Sequence, residues 1–246
     1  MAVPFPSALR RFLAAGLPLL LAACAAGPRV GEAPSATDLA LPGRAEPRCG
    51  EEKAPPDVVL HLQLIEDMQR QGLYHAALAH LDALGKEGAR LPRARFLRAE
   101  SLRHMGAAEE ARTLFKGLTD SCLAGLGHHG LARLEVDAGR IQASLTHFAN
   151  AERQRPTDPR IRNDHGYALL LAGRTGDARR QFQTAYELGG GERAAANLML
   201  ALLVADEKRE AAELSERLGL SSQELKRLRD DADALRQNTR SKETRP

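Results

Sequence analysis

From residue 57 onwards, apolar and small residues recur with helical spacing, and the pattern repeats itself at a fixed offset. Gly139 and Gly173 lie 34 residues apart, and so do Phe148 and Phe182. The same offset joins three further pairs: Ala132 and Gly166, Ser144 and Ala178, Ala151 and Ala185. Self-similarity at a period of this length is typical of stacked helical hairpins, each of which buries its apolar face against its neighbours.

The series continues in both directions. Backwards, Gly72, Ala77, Leu81 and Leu84 return as Gly106, Ala111, Phe115 and Leu118. Forwards, the offset is 33 residues, one fewer than before, and it joins Gly173, Ala178 and Ala185 to Asp206, Ala211 and Leu218. The pattern therefore predicts an all-α solenoid of about five helix hairpins over residues 57–220.

Glycines and polar residues mark the ends of the predicted helices. Gly72, Gly106, Gly139 and Gly173 stand where a left-handed residue ends the first helix of each hairpin. Ser221 and Glu224 have capping-box spacing, and an apolar stripe follows them at helical intervals. We expect a capping helix over 221–238, which gives the array a polar outer face, and a disordered tail over 239–246.

The repeat resembles the tetratricopeptide repeat. Counted from Pro159, the small and bulky positions of that family fall on Gly166, Leu169, Ala178, Phe182 and Ala185, and Gly190 stands where the family often has proline. The resemblance implies that small residues let the two helices of a hairpin approach closely, while the bulky residue fills the space beside them.

Some positions depart from the family pattern. The first repeat has Ile65 at a small position and Leu81 at the bulky one, and the fifth has Ser215 at the bulky one. Terminal repeats are commonly atypical because one face lacks a neighbour. Glu135 is internal and occupies an apolar position, which suggests that the phase of its helix is shifted by one residue.

The N-terminus has the pattern of a bacterial lipoprotein signal peptide. Arg10 and Arg11 precede an apolar run from Phe12 to Ala23, which is too short to span a bilayer, and Leu21-Ala22-Ala23-Cys24 ends it. The resemblance implies cleavage after residue 23 and acylation of Cys24, palmitate included. An ordinary secretory signal with an incidental Cys24 is the alternative. Ala25, rather than Asp, favours the periplasmic face of the outer membrane.

Residues 24–56 are rich in proline and predict a lipidated, flexible tether. In an oxidising periplasm, Cys49 and Cys122 form a candidate disulfide that would pin this tether to the folded domain. The two cysteines are far apart in sequence, and a bridge needs their Cα atoms within about 7 Å. The sequence leaves both the bridged and the unbridged state open.

Charge and motifs argue against nucleic acid and against catalysis. The formal charge of +3 includes Arg10 and Arg11, so removal of the signal leaves 33 basic against 32 acidic side chains with the two signs interspersed. Phosphate loops, nucleophile elbows and metal-binding cysteine pairs are missing from the sequence. Adjacent His128 and His129 point about 100° apart on a helix, which disfavours a shared metal. We expect no enzyme activity, cofactor or metal.

Repeats of this family bind proteins, and their first helices line a groove. By resemblance, the groove-facing residues are His129, Arg133, Asn163, Tyr167 and Asn197. An asparagine amide has a donor and an acceptor for the backbone of an extended peptide. Solvation without a partner is the alternative role for these side chains.

The combination of lipobox, tether and repeats resembles the periplasmic lipoproteins that assemble secretion and pilus machines. Asn163–Ala168, Gly173-Arg174 and Ala196–Leu202 are most similar to the TadD family of tight-adherence (Flp) pilus systems. This resemblance implies a non-catalytic factor with protein partners, among them a pilus secretin whose assembly or placement it supports. A regulator of a cell-wall synthase and a scaffold of outer-membrane protein insertion are the alternatives.

Overall fold

A computed structural model describes Cys49 and residues 53–243, with side chains up to residue 237. These residues form helices and no strand. The helices are α1 Pro56–Arg70, α2 Tyr74–Ala83, α3 Gly85–Arg90, α4 Pro92–His104, α5 Ala108–Lys116, α6 Ala124–Asp137, α7 Ile141–Gln154, α8 Pro159–Leu171, α9 Thr175–Glu187, α10 Gly191–Val204, α11 Lys208–Leu218 and α12 Ser222–Glu243.

Five helix hairpins stack in chain order, which confirms the predicted all-α solenoid. The pairs are α1/α2, α4/α5, α6/α7, α8/α9 and α10/α11, and α12 packs against α10 as the capping helix. The short helix α3, which the repeat pattern did not predict, lies between the first two hairpins. The first helices α1, α4, α6, α8 and α10 form one row, in which each contacts the next.

The hairpin turns follow one hydrogen-bonding scheme. After α8, the Gly173 N–H donates to the Leu170 carbonyl at 3.0 Å and the Arg174 N–H donates to the Leu169 carbonyl at 2.9 Å. This is the Schellman arrangement, which needs a left-handed residue at the glycine position. The four glycines predicted there have φ between 73° and 80°, which confirms their role: Gly72, Gly106, Gly139 and Gly173.

Bulky rings pack against residues with little or no side chain. Phe115, Phe148 and Phe182 are completely buried. A Cβ on Gly166 would lie 2.7 Å from the Phe182 ring, and one on Gly130 would lie 2.3 Å from the Phe115 ring. These distances are shorter than any real carbon contact, so the helices approach this closely because glycine occupies both positions.

The fifth hairpin lacks this bulky filler. Ser215 occupies the position of Phe182, and a cavity of about 700 Å³ lies between α11 and α12 beside Ser215 and Ala211. The apolar stripe of α12 packs against the last hairpin through Leu225, Leu228, Ala232 and Leu235. The capping helix thus supplies apolar surface that a sixth hairpin would otherwise provide.

The phase shift that we expected at Glu135 is wrong. The Arg140 N–H donates to the Glu135 carbonyl just as the Arg174 N–H donates to that of Leu169, so Glu135 stands at the apolar position itself. Its side chain is buried and ion-paired with Arg140 and Arg112. The hydrogen bond from Arg140, with the Arg112 bond and both charges, overcomes burial and lowers the pKa of Glu135 to about 2.

The two cysteines of the candidate bridge lie together. Cys49 and Cys122 are joined with their Cα atoms 5.8 Å apart, which is within the range that a disulfide requires. Cys49 is buried in the cluster that contains Phe115, Leu123 and Leu126. Export of the protein and oxidation of this pair in the periplasm stay predictions.

Several predicted features lie outside the described residues. They are the signal peptide 1–23, Cys24, and the tether of residues 24–56 apart from Cys49 and residues 53–56. Within the described part of the chain, every helix is too short or too polar to cross a membrane.

The capping helix begins as predicted and ends later. The Ser221 N–H donates to the Glu224 carboxylate at 2.9 Å, and the Glu224 N–H donates back to Ser221 Oγ at 3.2 Å, which confirms the capping box. The helix continues to Glu243, so the predicted boundary at 238 and the disordered tail from 239 are wrong up to that residue. The extra stretch contains no glycine or proline that would stop a helix.

We predict that Asp206→Gly stabilises the protein. Asp206 stands at the glycine position of the fifth hairpin with φ 59°, and among the described residues it is the one non-glycine with positive φ. Left-handed backbone strains a residue that carries Cβ, so glycine should raise the free energy of unfolding by about 0.5 kcal/mol. Urea denaturation measures this change.

Asp206→Ala is the matched control, because it removes the same exposed carboxylate and keeps a Cβ. Its unfolding free energy should not rise, and the mirror change Gly173→Ala should cost about 1 kcal/mol. Equal stability of Asp206→Gly and Asp206→Ala would contradict the assignment of strain to the backbone.

Candidate functional site

The row of first helices lines a groove of about 460 Å³. Each of the five first helices contributes a side chain to it, and so does the start of α2 through Tyr74. We call this surface the groove and define it by residues Glu66, Phe96, Glu100, His129, Arg133, Arg160, Asp164 and Arg193. Apolar side chains border its middle, namely Phe96, Leu97, Leu123 and Leu126.

Asp164 on α8 is the hub of the polar network in the groove. Its carboxylate accepts hydrogen bonds from His129 Nε2 on α6 at 2.9 Å and from the Arg193 guanidinium on α10 at 2.6 Å. Arg133 Nε on α6 lies 3.9 Å away. One carboxylate therefore connects three consecutive first helices.

The environment of Asp164 keeps this carboxylate charged. Its side chain is only 12% exposed, and burial by itself raises the pKa. The hydrogen bond from His129, together with the positive charges of His129, Arg193 and Arg133, outweighs burial and holds the pKa of Asp164 well below its usual range. Asp164 is thus a stable anion at neutral pH.

Glu100 has the same role in the preceding hairpin. Arg133 on α6 donates to the Glu100 carboxylate at 3.0 Å. Arg103, which lies on α4 together with Glu100, is 3.5 Å from that carboxylate. Burial raises the pKa of Glu100, but the charges of Arg133 and Arg103 exceed this effect and lower it. Arg133 stands between the two buried carboxylates and belongs to both networks.

The first two hairpins are joined in the same way. Arg93 Nε on α4 donates to the Glu66 carboxylate on α1 at 2.6 Å. Gln69 Nε2 lies 2.6 Å from the Leu97 carbonyl and 2.7 Å from Ser101 Oγ, both on α4. Directional polar contacts therefore connect every neighbouring pair of first helices, from α1 to α10.

Four of the five predicted groove residues belong to this network. His129 and Arg133 contact Asp164 as described above. Asn197 Nδ2 on α10 donates to Asn163 Oδ1 on α8 at 2.8 Å, and Asn163 Nδ2 donates to Asp164 Oδ1 at 3.2 Å. Both asparagines are buried, so they could hold a peptide backbone only by giving up this bond. Of the five predicted residues, only His129 and Arg133 line the groove; Asn163 and Asn197 lie outside its lining, and so does Tyr167, which is 38% exposed.

The histidines noted in the sequence take separate partners. His128 faces His147 with their Nδ1 atoms 3.3 Å apart, while His129 faces Asp164. His165 bonds to Glu152 at 2.8 Å and stacks on Phe148. Neither the His128-His129 pair nor the Asp164-His165 pair acts as a unit, and the described residues hold no cluster of three or more potential metal ligands.

His104 lies at the edge of the groove as a neutral ring. It stacks on Tyr74 with a centroid distance of 4.1 Å, and Arg103 donates to its Nε2 at 2.7 Å. Burial and the neighbouring Arg103 charge lower the pKa of His104 to about 4. The arginines therefore provide the positive charge at this edge.

The central roles of Asp164 and Glu100 were missed from the sequence. Family positions indicate which face of a helix a residue occupies, and they do not indicate its partner. A signal was nevertheless present, because partner residues lie about one repeat apart: Glu100 and Arg133 are 33 residues apart, and His129 and Asp164 are 35 apart. Such spacing places the partners at equivalent positions on adjacent first helices.

Comparisons with known proteins agree with this architecture. No family model matches the chain. The TPR repeat-containing protein PA4299 of Pseudomonas aeruginosa is 37% identical over 188 residues, which cover 76% of this chain and 75% of that protein. TTC0263, a thermophilic TPR protein of Thermus thermophilus, superposes with a TM-score of 0.56 at 20% identity over 72% of this chain and 98% of that one. A chain of the APC/C hetero-tetramer Cut9-Hcn1 superposes with a TM-score of 0.56 at 16% identity, and the match covers 67% of this chain and 34% of that one.

We predict that Asp164→Asn is strongly destabilising. The substitution keeps the shape of the side chain but leaves His129, Arg133 and Arg193 without their shared countercharge. Breaking a buried ion pair on one side costs about 3 kcal/mol or more, which urea denaturation at neutral pH measures. Asp230→Asn is the control, since Asp230 is exposed and pairs with Lys226 within α12, and it should change stability by less than about 0.5 kcal/mol.

The pH dependence provides a second readout of the same variant. A carboxyl whose pKa is lowered in the folded protein stabilises it above the ordinary pKa, and this stabilisation is lost as the pH falls through the folded value. The parent should therefore lose stability below about pH 5, and Asp164→Asn should lose less over that range. An equal loss of unfolding free energy at acidic pH in the parent and in Asp164→Asn would show that Asp164 does not carry this charge.

Proposed function

Because this chain belongs to the family of tetratricopeptide repeat proteins, we propose that it is a non-catalytic scaffold that binds protein partners in the groove. The observation that carries the proposal is the groove itself, which runs across the first helices of all five hairpins. An extended surface of this kind is what solenoid proteins use for recognition.

The chemistry of the groove supports binding rather than catalysis. A general base works best when its pKa lies near the operating pH. Asp164 and Glu100 have pKa values below their usual range, and arginines or histidines already hold both carboxylates. These groups are suited to fixing the positions of helices, and they are poorly suited to accepting a proton from a substrate.

We further propose that Cys24 anchors the scaffold at the periplasmic face of the outer membrane. Each buried methylene of an acyl chain contributes about 0.8 kcal/mol, so two or more chains hold a protein firmly. The lipobox and Ala25 support this location. A flexible tether over residues 25–48, which ends at the buried Cys49, would have a reach of about 27 Å and would let the groove meet partners away from the bilayer.

Among envelope machines, the tight-adherence pilus is the one that we propose. The basis is the resemblance of Asn163–Ala168, Gly173-Arg174 and Ala196–Leu202 to the TadD family. In this proposal the scaffold supports assembly or placement of the pilus secretin. Regulation of a cell-wall synthase and outer-membrane protein insertion are the alternatives that the following experiment separates.

Site-specific photocrosslinking in cells tests the proposal. A crosslinking residue at Arg70, which lines the groove with a side chain that is 72% exposed, should capture the pilus secretin or another pilus component, identified by mass spectrometry. Gln183 is the control position, because it is exposed on the second helix α9. In a Cys24→Ser background the Arg70 crosslink should weaken, since the chain is no longer held at the membrane.

Each other outcome changes a defined element of the proposal. Crosslinks from Arg70 to a cell-wall synthase or to the insertion machinery would support binding in the groove and would contradict the assignment to the pilus. Partner capture from Gln183 and none from groove positions would contradict binding in the groove. Full crosslinking in the Cys24→Ser background would contradict the role of the anchor.

A further inference from the structure

Charges in the groove are sorted by depth. The carboxylates of Glu100 and Asp164 lie in its floor, with side chains 13% and 12% exposed. The Arg160 and Arg193 side chains are 63% and 64% exposed at the end of the groove formed by α8 and α10. An approaching partner therefore meets guanidinium groups first, and the carboxylates lie beneath them.

We propose that the groove takes an extended protein segment whose carboxylate side chains bind Arg160 and Arg193. The apolar border of Phe96, Leu97, Leu123 and Leu126 would receive apolar side chains of the same segment. This inference rests on the proposed function and adds the chemical class of the partner.

The geometry of Arg193 leaves capacity for a second anion. A guanidinium has five N–H donors in a planar fork, and the contact with Asp164 engages Oδ1 through one nitrogen at 2.6 Å. Arg193 follows the first residues of α10, and Arg160 follows Pro159 at the start of α8. Helix N-termini carry partial positive charge, which adds to that of the two guanidiniums.

The carboxylates of the groove do not reverse this preference. Arg193, Arg133 and His129 surround Asp164, while Arg133 and Arg103 neutralise Glu100. Arg160 donates to both carboxylate oxygens of Asp158, at 3.1 and 2.9 Å, but Asp158 is 5% exposed whereas Arg160 is 63% exposed, so a partner meets the guanidinium and not the carboxylate. Asp67 is half-exposed and pairs with Arg70 at the end of α1, so the preference for anions is concentrated at the α8 and α10 end.

A protein segment fits this groove better than nucleic acid. Bases of single strands bind by stacking on exposed aromatic rings. The aromatic rings of the groove are Phe96, which packs towards the buried Phe115, and Tyr74, which already stacks on His104. The apolar border formed by Phe96, Leu97, Leu123 and Leu126 favours apolar side chains, which a phosphate backbone does not supply.

Fluorescence anisotropy on the purified full-length lipoprotein in detergent tests the inference. The probes are short labelled peptides of equal length in which aspartate alternates with leucine and serine, together with versions that have asparagine or lysine in place of aspartate. We expect the acidic peptide to bind about tenfold more tightly than the asparagine peptide, with the lysine peptide weakest. Added salt should weaken the acidic peptide most.

Variants locate the binding. Arg193→Gln should weaken the acidic peptide about tenfold, while Arg193→Lys, which keeps the charge, should retain some of the affinity. Arg209→Gln is the matched control, because Arg209 is exposed, pairs with one carboxylate, Glu213, and lies on α11 outside the groove. Circular dichroism establishes that each variant is folded before its affinity is compared.

Several outcomes would overturn the inference. These are equal affinity for the acidic and asparagine peptides, an Arg193→Gln affinity equal to that of Arg209→Gln, or tighter binding of an oligothymidine of the same length. If any occurs while crosslinks from Arg70 persist in cells, the carboxylate preference is wrong and the scaffold proposal stands. Loss of those crosslinks as well would contradict both the carboxylate preference and the scaffold proposal.

Discussion

The groove depends on one buried carboxylate, that of Asp164, which three consecutive first helices share. Moving a carboxylate out of water costs several kcal/mol, and the protein recovers this only because His129 and Arg193 bond to it and Arg133 lies close by. Such an arrangement contributes little net stability compared with apolar packing. Its effect is directional, since it fixes where α6, α8 and α10 lie relative to one another.

Two kinds of interaction therefore hold the array of hairpins together. Within a hairpin, packing of a bulky ring against a small residue sets the helix separation, as Phe182 does against Gly166. Between hairpins, polar contacts set the register, as Arg93 does with Glu66 and Arg133 with Glu100. Packing is nondirectional and tolerates sliding, whereas these hydrogen bonds and ion pairs hold only at one register.

The sequence predicted what depends on local geometry. The glycine turns and the spacing of Phe148 and Phe182 are steric requirements of each hairpin, so they recur visibly and gave the five hairpins correctly. Partners across hairpins depend on the stacking, which sequence positions do not show. For that reason Asn163 and Asn197 were expected to face a peptide and instead bond to each other. Glu135 looked out of phase because its two arginine partners come from other elements.

If the Asp164 network fixes the shape of the groove, removal of its charge should change a distance measured across the groove. Spin labels at the exposed positions Leu64 on α1 and Glu192 on α10 report that distance by pulsed electron resonance. We expect one narrow distribution in the parent and in Asp230→Asn, and a broadened or shifted one in Asp164→Asn. An unchanged narrow distribution in folded Asp164→Asn would mean that the Asp164 network does not set the shape of the groove.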